Sequence, residues 1–306
     1  MIVVCGEALI DMIYNGDGTQ RAAPGGGPFN TARALARLGV PTAFLGHLSN
    51  DTFGRELSGL LVADGASLEL ATVGPEPTTI ALADVGDEGF AEYQFLVQGT
   101  SAPELTVEML PDHLPDEVTA LHIGTLGLVL EPIASTIVEL VRRERKGRLI
   151  MLDPNIRVGL TGDAGYRDRL LTLISQSTIV KASDTDLAWL YPKCDHEGAV
   201  DEILKTGVRL AVVTLGADGA FAGHGDLRIQ VPAPAVDVVD TIGAGDSFGA
   251  ALLAWLYDHG AIRPDLSVDG DQLKAALAYA CLAASLTVAR AGADPPTKSE
   301  MRELSG

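Results

Sequence analysis

The sequence predicts an α/β fold: three layers with a mostly parallel central sheet flanked by helices, plus a small separate β-sheet. Three observations carry this expectation. Short apolar, strand-like runs alternate with helix-spaced ones, the signature of parallel strands joined by crossover helices. No linker or low-complexity stretch interrupts the 306 residues, so residues 1–306 are expected to form a single domain. The alternation breaks once, near residues 78–98, where two strand-like runs flank Gly86-Asp87-Glu88-Gly89, a hairpin signal.

In chain order, Ile2–Cys5 is the first strand, and Ala8–Tyr14 alternates before turn-forming residues Asn15 to Gly18. Helical spacing marks Asn30–Leu38 and Phe53–Ala63, on either side of a strand at Ala43–Leu48. Thr78–Val85 and Phe90–Val97 form the hairpin. With the earlier run they predict a small sheet from about 8–18 and 78–98, although an edge of the main sheet would read the same way. Strands at Ala120–Ile123, Arg148–Leu152, Ile179–Lys181 and Arg209–Thr214 then alternate with helices at Pro132–Arg145, Arg167–Ser175 and Val200–Lys205. Two hairpin-like pieces follow, Gly219–His224 and Leu227–Val231. A Val- and Pro-rich stretch, Ile229–Val239, leads into a helix starting near Gly243 to Asp246, and Ala275–Val288 is a second helical run.

Hydrophobic residues make up 47% of the chain, enough for a large core. The three cysteines, Cys5, Cys194 and Cys281, lack metal-ligand spacing and are odd in number, which predicts a reduced, cytoplasmic compartment. The N-terminus lacks the basic segment of a signal peptide, and no apolar run reaches the roughly 18 residues a membrane helix needs. With 41 acidic against 22 basic residues the net charge is −19, which opposes binding to nucleic acid or to anionic membranes.

Several polar motifs sit where predicted strands end, the edge at which parallel sheets bind ligands. Asp11 closes Gly6-Glu7-Ala8-Leu9-Ile10-Asp11 and can accept two hydroxyl hydrogen bonds, or be a solvated strand end. Three glycines, Gly25 to Gly27, precede a helix and allow a ligand close to the backbone, with Asn30 on the first turn as donor and acceptor. Tyr93 and Phe95 share one face of the hairpin's second strand. Asp153-Pro154-Asn155-Ile156-Arg157 ends another strand, and the planar donors of Arg157 suit an oxyanion. Lys181-Ala182-Ser183-Asp184-Thr185-Asp186 follows the next, and Ser183 and Asp184 read equally as helix caps. Thr214-Leu215-Gly216-Ala217-Asp218-Gly219 is a glycine turn.

The whole chain is organised around Asp240-Thr241-Ile242-Gly243-Ala244-Gly245-Asp246-Ser247-Phe248. Two glycines allow a tight turn, and the free N–H groups of the helix that follows attract a phosphate or a developing anion. Asp246 in that turn is either a helix cap or an acid–base group. Its place at a helix N-terminus predicts a carboxylate that is ionised at neutral pH.

The string closely resembles the C-terminal signature of the ribokinase-like (PfkB) family of carbohydrate kinases. Gly-Gly followed by Asn30 and Leu35-Ala36-Arg37-Leu38-Gly39 resembles the family's other signature, with Gly27 in place of the usual Ala. The resemblance implies a ribokinase-like fold whose small sheet is a lid over the sugar, a lid that also pairs subunits into dimers in such enzymes. It implies Asp246 as catalytic base, the backbone of Gly243, Ala244 and Gly245 as anion hole, and Asp11, Gly25, Gly26, Asn30 and Phe95 around the sugar. Arg157, Lys181, Thr214, Gly216 and Gly219 would serve ATP. Ser183 and Asp186 replace the family's Asn and Glu, leaving Asp186 to hold Mg²⁺ through water. Asp240 and the loop Arg290-Ala291-Gly292-Ala293-Asp294-Pro295-Pro296 would bind a monovalent cation, K⁺, with Pro296 replacing Ser.

Leu121-His122-Ile123-Gly124-Thr125-Leu126 and the Asp153–Arg157 run resemble fructokinase-type members, which implies a free hexose, fructose first, as acceptor. Leu96-Val97 stand where many relatives carry Tyr-Arg, an argument against a sugar acid such as ketodeoxygluconate. A nucleoside would need an aromatic platform, and the chain is 5% aromatic. Ribose remains a second acceptor. A catalytically idle sugar-binding or regulatory protein remains a reading of another class. No dinucleotide fingerprint follows the first strand, which disfavours a dehydrogenase.

Overall fold

The first strand, Ile2–Cys5, shows how the layers form. Successive side chains point to opposite faces. Ile2 and Val4 pack with Phe29, Leu35 and Leu253 on one side, whereas Val3 and Cys5 pack with Ile137, Leu140 and Leu173 on the other. All four are fully buried. A strand apolar on both faces requires helices on both, and the chain supplies them. The helices Gly27–Arg37, Thr52–Asp64, Ala244–Asp258 and Gly270–Val288 contribute to the first core. Ile133–Glu144, Tyr166–Gln176, Asp184–Leu190 and His196–Lys205 contribute to the second.

The computed structural model describes residues 1–14, 19–85, 91–162 and 165–304. Its main sheet has eight strands, in the order Leu227–Val231, Ala220–His224, Leu210–Thr214, Ile179–Ser183, Leu149–Asp153, Ala120–Gly124, Ile2–Cys5 and Thr42–Leu45. From Leu210–Thr214 onward the neighbours are parallel, and the first two strands add an antiparallel hairpin at one edge. The carboxyl ends of the parallel strands therefore share one rim, with Glu7, Thr125, Asp153, Ser183 and Thr214 at or just beyond them. Among the described residues no helix is long and apolar enough to cross a membrane.

The small sheet is separate from the main one and has four strands, Gln20–Gly25, Leu9–Tyr14, Ile80–Val85 and Ala91–Leu96. The expected turns at Asn15–Gly18 and Gly86–Gly89 lie outside the described residues, as does the side chain of Tyr93. Gln20–Gly25 is a strand the sequence did not announce. It has no β-branched or aromatic residue and contains Pro24, yet it pairs from Leu9↔Gly25 to Tyr14↔Gln20 as an edge, where a missing N–H is tolerated.

One further expectation is corrected. The strand Ala43–Leu48 breaks at Gly46, where a Cβ would lie 2.5 Å from the Gly6 carbonyl oxygen. His47–Ser49 instead pairs with Thr72–Gly74 as a third, two-stranded sheet. The extended stretch Ile229–Val239 is a strand only to Val231, because Pro232 and Pro234 have no N–H to give a ladder.

Candidate active site

The helix Ala244–Asp258 starts from Gly243, whose φ of 77° lies in the left-handed region. A Cβ there would also come within 2.7 Å of the Ala293 side chain. Only glycine meets both demands. Asp246 lies in the first turn but does not cap the helix. Its Oδ2 accepts a hydrogen bond from Asn30 Nδ2 (2.9 Å), across 216 residues of sequence. The carboxyl is 8% exposed. Burial raises its pKa to about 6, aided by the Asp153 charge and opposed by the Asn30 hydrogen bond and by Lys181 and Arg157. The helix N-terminus was expected to ease its ionisation, but desolvation outweighs that effect. The group is nonetheless mostly ionised at pH 7.

On one side of Asp246 lies a polar cavity of about 580 Å³. It is lined by Asp11, Gly26, Asn30, Phe95 and Arg157 among those anticipated, and by Glu7, Thr125 and Asn155 in addition. Asp11 pairs with Ala23 and Ala81, two small residues in neighbouring strands. Burial lifts its carboxyl to about 6, while Arg157 and Arg21 pull it back. Gly25 lies under that carboxylate, so any Cβ would strike it, and Gly26, at φ 105°, would place a Cβ 2.9 Å from the Glu7 carbonyl oxygen. Gly27 is no neutral replacement for Ala. Its Cβ would collide with Thr125 Oγ1 and approach Asp246 Oδ1 to 3.3 Å. Phe95 packs against Leu9, Ala81 and Leu126, whereas Leu96 is exposed.

Three residues of this cavity were not singled out from sequence. Glu7 is buried, and burial raises its carboxyl to about 7 against backbone N–H donors and the Arg157 charge. Thr125 and Asn155 have positive φ values of 54° and 41°. Asn155 Nδ2 donates to Thr125 Oγ1 (3.3 Å), and Arg157 Nη1 donates to Asn155 Oδ1 (2.6 Å). The left-handed backbone of Thr125 and Asn155 marks those two positions, and the burial of Glu7 marks the third.

On the other side lies a mostly apolar cavity of about 510 Å³, bordered by Thr214, Gly216, Gly219, Ala235, Val238 and Cys281. The two cavities share Thr214, Gly216, Thr241 and Gly245, so they meet at the organising turn. Lys181 is buried, and its Nζ donates to Asp153 Oδ2 (2.8 Å). Burial works against its charge, but Asp153, Asp246 and Asp186 together hold its pKa above the ordinary value. The Asp186 carboxylate is buried too. Oδ1 accepts from Ile156 N–H (2.7 Å), and Oδ2 accepts from the N–H (2.9 Å) and hydroxyl (2.7 Å) of Ser183. Ser183 does act as a helix cap, in a reciprocal box with Asp186. Asp240 accepts from Ile242 N–H (3.0 Å) and Gly292 N–H (2.9 Å), which ties the organising turn to the late loop. Arg21 of the small sheet lies 3.7 Å from the same carboxylate.

Comparison with known proteins gives this geometry a context. The model of the pfkB family of carbohydrate kinases matches residues 1–300. A fructokinase of Rhizobium leguminosarum bv. trifolii is 41% identical over 261 residues, 84% of this chain and 79% of the relative. A probable fructokinase of Arabidopsis thaliana is 33% identical and covers 99% of this chain, with 96% of its own length matched. Among solved structures, a fructokinase from Xylella fastidiosa with bound ATP superposes with a TM-score of 0.90 at 25% identity, covering 100% of this chain and 99% of that one. A fructokinase variant from Vibrio cholerae, bound to fructose, ADP and potassium, gives 0.86 at 25% identity over 99% and 97% of the two chains.

Proposed function

The chain belongs to the pfkB family of carbohydrate kinases, and on that premise we propose that it transfers the γ-phosphoryl group of ATP to a hydroxyl of free fructose. One observation supports this most. Asp246, held by Asn30, lies in the helix turn where a polar cavity and an apolar cavity meet. A polyol suits the first, and an adenine base suits the second.

In this reading Asp11, Gly25, Gly26 and Asn30 orient the sugar and Phe95 covers its apolar face. Asp246 accepts the proton of the attacking hydroxyl as a new P–O bond forms and the bond to the ADP oxygen breaks. A carboxyl near 6 is ionised at neutral pH yet still basic enough for this work. The N–H groups of Gly243 to Asp246 and the guanidinium of Arg157 stabilise charge on the transferring group. Lys181, neutralised by Asp153, adds a buried cation behind the turn, and Thr214, Gly216 and Gly219 border the nucleotide.

Magnesium with ATP neutralises phosphate charge. Asp186 would meet that ion through water: a carboxylate offers about four acceptor sites, three here are taken by Ser183 and Ile156, and one is left for a water. Asp240 and the loop 290–296 are the proposed potassium site. We also take residues 1–306 as one cytoplasmic kinase domain, with the small sheet as its lid and as a dimer contact; Leu96, 46% exposed on that sheet, gives such a contact apolar surface.

The test is ADP release with Mg-ATP across fructose, ribose, glucose, ketodeoxygluconate and adenosine. Fructose should give the highest kcat/KM. Faster turnover of another acceptor would replace fructose in this assignment, and silence on all five would overturn it.

A further inference from the structure

Two residues of the polar cavity have left-handed backbones that cost free energy for any side chain but glycine. Thr125 and Asn155 follow adjacent parallel strands and join through their side chains, Nδ2 to Oγ1 (3.3 Å). Such turns persist only where the surroundings fix them, and here each is followed by a backbone N–H committed to a buried carboxylate. Gly127 N–H donates to Glu7 Oε2 (3.2 Å), and Ile156 N–H donates to Asp186 Oδ1 (2.7 Å). Glu7 is 1% exposed and Asp186 is 6% exposed. Both carboxylates line the polar cavity, although they lie 179 positions apart in sequence. What the joined turns hold is Arg157, whose Nη1 donates to Asn155 Oδ1 (2.6 Å). Its charge acts on Glu7, Asp11 and Asp246 alike.

We propose that Glu7 and Asp186 are positioning residues, a pair of buried clasps that act through Thr125 and Asn155 to aim Arg157 at the transferring phosphoryl group. The inference rests on the reading of Arg157 given above. It also gives the Ser183–Asp186 departure a purpose. The shorter carboxylate reaches Ile156 while closing its own helix cap, so its first task is the arginine loop rather than the metal.

A double-mutant cycle separates these ideas. Arg157→Ala should lower kcat by about 100-fold, the range for losing one oxyanion donor. Glu7→Gln and Asp186→Asn should each lower kcat by about 10-fold, with KM for ATP and for fructose changed less than about threefold. Combined with Arg157→Ala, neither should add to the loss, because the group each positions is already gone. Asp186→Glu, which retains a carboxylate but not its reach, should recover only part of the rate lost in Asp186→Asn. ATP binding measured by calorimetry should be unchanged in Glu7→Gln.

Losses that multiply in the double variants would overturn the clasps while leaving Arg157 intact. A silent Arg157→Ala would instead overturn the reading beneath them. A defect in Asp186→Asn that disappears at tenfold higher magnesium would return that residue to the metal. If Glu7→Gln fails to fold, Asn155→Gly runs the same cycle, since glycine tolerates the backbone and deletes both side-chain bonds. A kcat unchanged in Asn155→Gly would overturn the proposal as surely.

Discussion

The two cavities that meet at Thr241 and Gly245 are built differently. The polar one gathers carboxyls whose pKa values burial has raised, Asp11 and Asp246 to about 6 and Glu7 to about 7, around one guanidinium. The apolar one is walled by alanines, valines, Pro234 and glycine turns, with no charged side chain among the described residues of its border. The first therefore works by orientation and electrostatics, where a single atom matters. The second works by shape, where volume matters. Changes on the polar side should appear in kcat, and changes on the apolar side in KM for ATP.

Asp246→Asn offers the largest contrast. It should lower kcat by at least about 1,000-fold while ATP affinity stays within about threefold, read by ADP release and by calorimetry. A comparable loss of ATP affinity would erase the proposed division between the cavities. Gly243→Ala comes next, since it strains a left-handed residue and pushes into Ala293. It should lower kcat by about 100-fold, through displaced anion-hole N–H groups.

On the apolar side, Ala284→Leu should raise KM for ATP by about tenfold by filling the cavity, with KM for fructose unchanged. An equal rise for fructose would show that the two cavities are not independent.

The pH dependence sharpens the same contrast. kcat should fall about tenfold per unit below pH 6, as Asp246 takes a proton. Stability should move the other way. A carboxyl raised from 3.8 to about 6 favours the protonated fold, so its contribution is present below about pH 4 and lost as pH rises through 6. Asp246→Asn removes that burden, and its melting temperature relative to the parent should rise between pH 4 and pH 8. The ceiling is about 3 kcal/mol. A flat difference across that range would mean that Asp246 is not raised.

The parallel sheet was readable because its strands are apolar on both faces, as Ile2–Cys5 illustrates, and the organising turn because its glycines and its carboxylate are contiguous in sequence. Gln20–Gly25 was not, because pairing to Leu9–Tyr14 and not its own residue types makes it a strand. Asp246 was found by its neighbours in sequence, but its raised pKa belongs to groups far away along the chain. Glu7 and Asn155 were passed over inside motifs that had already been quoted. Their importance lies in which hydrogen bonds they complete, and a linear pattern carries no such information.

The cysteines add a practical possibility. Cys5 and Cys281 are buried, with Cys281 raised to about 11, whereas Cys194 is exposed. A maleimide dye at neutral pH should therefore attach at one position. The helix Asp184–Leu190, capped by Ser183 and Asp186, ends four residues before that position, and Cys194 N–H donates back to the Tyr191 carbonyl that closes it. A single chemical handle thus stands at the far end of the element that holds the arginine loop, so fluorescence could follow ligand binding in the unmutated chain.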